Sequence, residues 1–127
     1  MIPANLKYTK DHEWIRQDGD ILTVGVTDFA QEQLTDIVFV ELPQVGRALK
    51  AHEAACVLES VKSVADVFAP VSGEVVEVNS NLEGAPEKVN QSPYEEGWLF
   101  KLKTAAGVSI PNLMDAKAYE AYVADQH

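Results

Sequence analysis

Cysteine is nearly absent from this sequence. Cys56 stands alone among 127 residues, so the chain forms no internal disulfide, and a reducing compartment is the simplest reading. Cations are scarce. Ten Lys and Arg face 20 Asp and Glu, a formal net charge of −10. Such a surface repels phosphate backbones and anionic lipid, which argues against nucleic-acid and membrane-surface binding and favours protein partners with basic clefts. Long apolar runs are missing too. The longest uncharged stretch, Thr104–Met114, is too short and too polar to span a bilayer. Met1–Asn5 has neither the basic nor the apolar region of a signal peptide. No Gly-x-Gly-x-x-Gly, phosphate-binding Gly-Lys-Ser/Thr loop or Gly-x-Ser-x-Gly elbow occurs, so the usual dinucleotide, nucleotide and serine-hydrolase chemistries lack their signatures.

What is present reads as one domain over residues 1–127, with ordinary globular composition (46% hydrophobic, 24% charged) and enough length for a core without disulfides. Short apolar runs alternate with turn residues. Asp18-Gly19 between His12–Arg16 and Ile21–Gly25 is a hairpin signal. Val38–Leu42, Ala54–Val61, Val64–Ala69, Glu74–Val78 and Trp98–Lys103 also read as strands; in the last, Trp98, Phe100 and Leu102 form one apolar face. Thr27 is placed to cap a helix over Asp28–Leu34, Pro86 to open a short one reaching Asn90, and Asp115 to cap Ala116–Ala124. A weak repeat relates Val38–Leu49 to Ala65–Val76 at an offset of 27 residues, each half a strand, Pro-x-x-Gly and a second apolar strand. Together these predict a mainly β sandwich or flattened barrel with short helical additions and a C-terminal helix.

Chemistry-bearing positions are few. His52 and Cys56 mimic a metal pair, but on a strand they lie about 13 Å apart, too far to share an ion. Cys56 between Ala55 and Val57 reads as a core thiol. Val61-Lys62-Ser63 is different, because it joins two strand-like runs and puts Lys62 near a hairpin tip. A tip lysine is ordinarily a solvated charge or an edge protector. It is also where a modifying enzyme would find access and a covalently attached arm could swing clear.

Resemblance adds what spacing does not. Tyr8–Trp14, Thr23–Leu34, Asp36–Pro43, Glu59-Ser60-Val61-Lys62-Ser63, Ala69–Val75, Val89-Asn90, Pro93-Tyr94 and Gly97-Trp98 run in order over about Leu6 to Tyr122. This series resembles the H proteins of the glycine cleavage system. The resemblance implies a lipoyl/biotinyl-type hybrid sandwich, covalent lipoate on Lys62, and a carrier component rather than an enzyme. Such a carrier shuttles an aminomethyl group from a pyridoxal-phosphate glycine decarboxylase to a tetrahydrofolate-dependent aminomethyltransferase. It is then reoxidised by dihydrolipoamide dehydrogenase, and a lipoate ligase or lipoyl transferase loads it. Val61 and Ser63 replace the methionines that flank the lysine of biotin carriers. Glu13 and Asp66, with Asp11 as a weaker candidate, match positions linked to the cleft that shelters the loaded arm. Phe29 stands where a histidine is frequent, Ser63-Val64-Ala65 departs from the usual pattern, and the stretch between Thr104 and Pro111 is short. The alternative reading is a lipoyl relay that donates to other lipoate-dependent enzymes. No metal, nucleic acid or membrane partner is expected, a monomer is, and the expected compartment is the bacterial cytoplasm, with a processed mitochondrial matrix protein left open.

Overall fold

A computed structural model describes residues 3–104 and 113–126; most of the short stretch between Thr104 and Pro111 lies outside them. In chain order the elements are β1 (Lys7–Tyr8), β2 (Glu13–Asp18), β3 (Ile21–Val26), α1 (Asp28–Leu34), β4 (Ile37–Glu41), β5 (Ala48–Leu49), β6 (Ala54–Ser60), β7 (Val64–Phe68), β8 (Gly73–Val78), α2 (Asn81–Gly84), α3 (Lys88–Gln91), β9 (Phe100–Lys103) and α4 (Ala116–Gln126). The Asp18-Gly19 signal is realised as a tight antiparallel hairpin closed by Asp18 opposite Ile21. Gly19 has φ +64, a left-handed value that costs glycine little and lets so short a loop match the strand twist.

Two antiparallel sheets result, and they do not close into a barrel. The larger has the order β1-β2-β3-β9-β8-β5, the smaller β4-β6-β7. Alternation along the strands sends Ile15, Leu22, Val24, Val75, Phe100 and Leu102 from one sheet, and Val40, Cys56, Leu58 and Val67 from the other, into a shared core. A second cluster, Leu6, Tyr8, Trp14 and Tyr119, lies under α4, with the Tyr8 and Tyr119 rings stacked at 4.7 Å. Gly25 faces Trp14 in the next strand. A Cβ there would come within 2.5 Å of the indole, so glycine is what admits the ring.

The internal repeat has a geometric counterpart. At the 27-residue offset β4 maps onto β7, and these two strands flank β6. The second strands of the two halves, β5 and β8, pair with each other in the larger sheet. Each Pro-x-x-Gly is thus the point where the chain leaves one sheet for the other.

Departures from the sequence expectations have local causes. β1 and α2 are too short to show periodicity and have no counterpart in the sequence expectations; β5, the second strand of the first repeat half, is only two residues long. The strand expected from Trp98 begins at Phe100; Leu99 is fully buried, while Trp98 is half-buried with Lys101 Nζ 5.2 Å from its ring. The chain is held there by Asn79, whose amide donates to the carbonyls of Glu96 and Trp98 (2.7 and 2.8 Å). Pro86 precedes α3 rather than lying inside it. Thr27 and Asp115 do cap α1 and α4, accepting from the N–H groups of Ala30 (3.3 Å) and Ala118 (2.8 Å).

Candidate functional site

The β6–β7 hairpin carries Lys62 at its tip. Ser60 shapes the turn. Its backbone N–H donates to the Ser63 carbonyl at 2.8 Å, and its hydroxyl accepts from the N–H groups of Lys62 (3.1 Å) and Ser63 (2.9 Å) while reaching the Ser63 carbonyl at 3.1 Å. A serine at this place offers the backbone partners that the strand ladder no longer supplies. Val61, Lys62, Ser63 and Val64 are all exposed. Val61 and Val64 are 69% and 63% exposed, an unusual position for apolar side chains. Among the described residues none of the ion pairs involves Lys62, Asp66 or Asp11.

Asp66 lies on β7, opposite Val57 of β6, with its carboxylate exposed. From Lys62 to Asp66 is at most about 13 Å of extended chain. Glu13 arrives from the other sheet. It begins β2, after a loop that Thr9 organises: the Thr9 hydroxyl accepts from the N–H groups of Asp11 and Glu13, both at 3.2 Å, and donates to Glu13 Oε1, also at 3.2 Å. His12 completes the turn at φ +65. Glu13 Oε2 accepts the N–H of Phe68 on β7 at 2.7 Å. Glu13 is 2% exposed, and burial raises its pKa from the ordinary 4.5 to about 7; the Asp11 charge adds to the rise, and the bonds from Phe68 and Thr9 oppose it. Asp11 itself is exposed. Glu13 and the Asp66-bearing strand are therefore brought together, Lys62 stands at the end of that strand, and Asp11 touches the group only through its field.

Sequence reading missed the network beside this site. His12 Nδ1 lies 2.8 Å from Tyr119 Oη, which lies 2.7 Å from Thr27 Oγ1. Burial lowers the pKa of His12, and with a neutral imidazole one consistent order runs from Thr27 O–H to Tyr119 Oη and from Tyr119 O–H to His12 Nδ1. The Phe29 ring packs 4.6 Å from His12. Asn90 was quoted only as part of a motif; its Oδ1 accepts from Ile37 N–H (2.9 Å) and its amide donates to Gln31 Oε1 (2.9 Å) and Thr35 O (2.7 Å). Trp14 Nε1 donates to Pro93 O at 2.8 Å, and the Tyr94 hydroxyl accepts Asp28 N–H at 3.0 Å. Residues that carried the resemblance thus hold the scaffold together. Of the metal mimic, Cys56 is in the core with burial pushing its thiol up to about 12, and His52 is exposed. No cluster of three or more metal-ligating side chains occurs among the described residues, and no helix among them is long and apolar enough to cross a membrane.

A sandwich of two antiparallel sheets that presents one lysine on an ordered but exposed hairpin tip defines the class: a small β-sandwich with a lysine-bearing hairpin. The family model for the glycine cleavage H-protein matches residues 6–126, and the chain belongs to that family. It is 57% identical over 121 residues to the glycine cleavage system H protein of Symbiobacterium thermophilum, covering 95% of this chain and 94% of that one. It is 54% identical over 123 residues to that of Chromohalobacter salexigens, covering 96% and 94%. Among solved structures, the crystal structure of a glycine cleavage system H protein from Mycobacterium marinum superposes with a TM-score of 0.86 at 37% identity, covering 98% of both chains. Membership makes the chain a carrier component of the glycine cleavage system, supports a lipoyl-carrier role there, and implies the other components of that system as its partners.

Proposed function

We propose that residues 1–127 act as one lipoyl-carrier domain, with lipoate joined through an amide to Lys62 Nζ. The observation that carries this is the tip itself: Lys62 is exposed, outside the ion pairs of the described residues, on a turn ordered by Ser60. A modifying enzyme would meet a fixed backbone and a mobile side chain, with only small or apolar neighbours at Val61, Ser63 and Val64. Amide formation removes the lysine charge, and the lipoyl group supplies the redox-active disulfide to which the one-carbon amine cargo attaches. The chain contributes position and shelter. It visits glycine decarboxylase, the aminomethyltransferase and dihydrolipoamide dehydrogenase in turn, as a monomer making transient contacts, in the cytoplasm of a bacterium. It does no chemistry of its own.

Shelter falls to the acids beside the arm. Asp66, exposed on β7, would meet an ammonium carried by the arm, the buried Glu13 of β2 is hydrogen-bonded to Phe68 two residues further along β7, and Asp11 adds negative potential nearby.

The test is mass spectrometry of the chain after incubation with lipoate and a lipoate ligase. A single lipoyl gain on the peptide containing Lys62, absent from Lys62→Arg, supports the reading; a folded wild-type chain that gains nothing beside an active control overturns it. Reconstituted glycine cleavage, set against lipoyl transfer to a second acceptor, separates the carrier from a lipoyl relay. Asp66→Asn combined with Glu13→Gln is expected to shorten the lifetime of the loaded state while leaving lipoylation intact.

A further inference from the structure

Among the described residues β7 is an edge strand, with β6 on one side and no strand on the other. The Ala69 N–H, just past its end, points inward to the carbonyl of Glu53 at 2.9 Å. In an extended chain the preceding N–H, that of Phe68, points outward, where the sheet offers no acceptor. Glu13, 55 residues earlier in the chain and on the other sheet, supplies one at 2.7 Å. Its second oxygen takes the Thr9 hydroxyl, so the carboxyl is fixed on both sides before it reaches β7.

We infer that Glu13 is a positioning residue for the lysine hairpin: its buried carboxyl captures the outward N–H of Phe68 and so sets the attitude of β7, and with it Asp66 and the Lys62 tip, against the larger sheet. Its bearing on the carrier rests on the Lys62 reading; the bond can be tested without any lipoyl group. Two consequences follow from the chemistry. An ionised carboxylate accepts a hydrogen bond about twice as strongly as a neutral acceptor, so the grip on β7 tightens when Glu13 loses its proton. The charge is also buried, so that tighter grip comes with a desolvation cost. Of the titratable and charged groups on the elements packed against it, Lys10, Asp11 and His12 precede it in its own loop and Asp66 is on the strand it holds; Val26, opposite on β3, contributes none. Asp11 is the charge that raises the Glu13 pKa.

The measurement is the pH dependence of the Phe68 backbone amide, followed by proton–nitrogen NMR on the unmodified full-length chain from about pH 5 to about pH 9. The expected result is a downfield movement of the Phe68 amide proton with a midpoint near 7. Glu13→Gln is expected to flatten it, since a glutamine Oε1 can accept the same N–H and the amide does not ionise. Asp11→Asn should keep the titration and move its midpoint down; Asp66→Asn should keep it. In Glu13→Ala the Phe68 amide should exchange with solvent about tenfold faster, and if that variant does not fold, the glutamine variant alone carries the decision. A Phe68 amide that stays still across the range, or that titrates alike in wild type and Glu13→Gln, overturns the inference. A merely structural glutamate gives no titration at a backbone amide on another sheet.

Discussion

The two ends of the β6–β7 hairpin are built in opposite ways. At the tip, Val61 through Val64 are exposed and the turn is held by one serine side chain. At the base, Cys56, Val67 and Ala69 are buried, and a glutamate from the other sheet fastens the outer edge. On the function proposed above, the contrast reconciles two demands. A side chain that must enter several partners needs a surface with few contacts, and such a surface has little stability of its own. Anchoring is therefore placed a few residues back, where burial provides it, and the short, ordered turn conveys it to the tip.

Function and stability should separate along this line. Lys62→Arg is expected to abolish the lipoyl mass gain completely while its thermal midpoint stays at the wild-type value, because an exposed tip substitution changes stability by only about 0.5 kcal/mol or less. A large loss of stability in that variant would break the comparison. Leu58→Ala, at a fully buried position on β6 of the hairpin itself, should do the reverse and cost ~2–5 kcal/mol in denaturant melts. Any lipoylation defect it shows should disappear under conditions where it is fully folded.

Glu13 sharpens the contrast through pH. Its folded pKa is raised from 4.5 to about 7, so the folded state keeps a proton that the unfolded chain has released. The stabilisation associated with that proton is fully present below pH 4.5 and is lost as pH rises through about 7. A shift of this size corresponds to ~3 kcal/mol. Glu13→Gln removes the ionisation, so the difference in unfolding free energy between it and wild type should move in favour of the variant by up to ~3 kcal/mol between acid and alkaline pH. A difference that does not change with pH would show that burial does not govern this carboxyl. The smallest effect is expected at the tip. Ser60→Ala should cost about 1 kcal/mol or less, seen as faster amide exchange at Lys62 and Ser63 rather than as a change in melting.

Much of the fold was legible. The hairpin at Gly19, the strands β4 and β6 to β8, and the caps Thr27 and Asp115 follow from periodicity and turn chemistry, which depend on near neighbours. The repeat proved more informative than its turn residues implied, since its halves occupy equivalent places around β6 and in the β5–β8 pair. Lys62 was legible because a break between two apolar runs marks a tip. Glu13 was legible only as a matched position. Nothing near it in sequence shows that it is buried or that its partner is Phe68. Ser60 was quoted only within the matched segment Glu59–Ser63, although a serine two residues before the tip lysine is a recognisable turn signal.

The sequence by itself determined most of the strands, the turns, the lysine between two strand-like runs and the acidic balance, because local backbone preference and side-chain alternation need only neighbours along the chain. Tertiary structure alone decided which acid is buried, which edge N–H it satisfies, and that His12 meets Tyr119 across 107 positions. Those outcomes depend on what two sheets place face to face, where water is excluded and every polar group must find its partner within the protein.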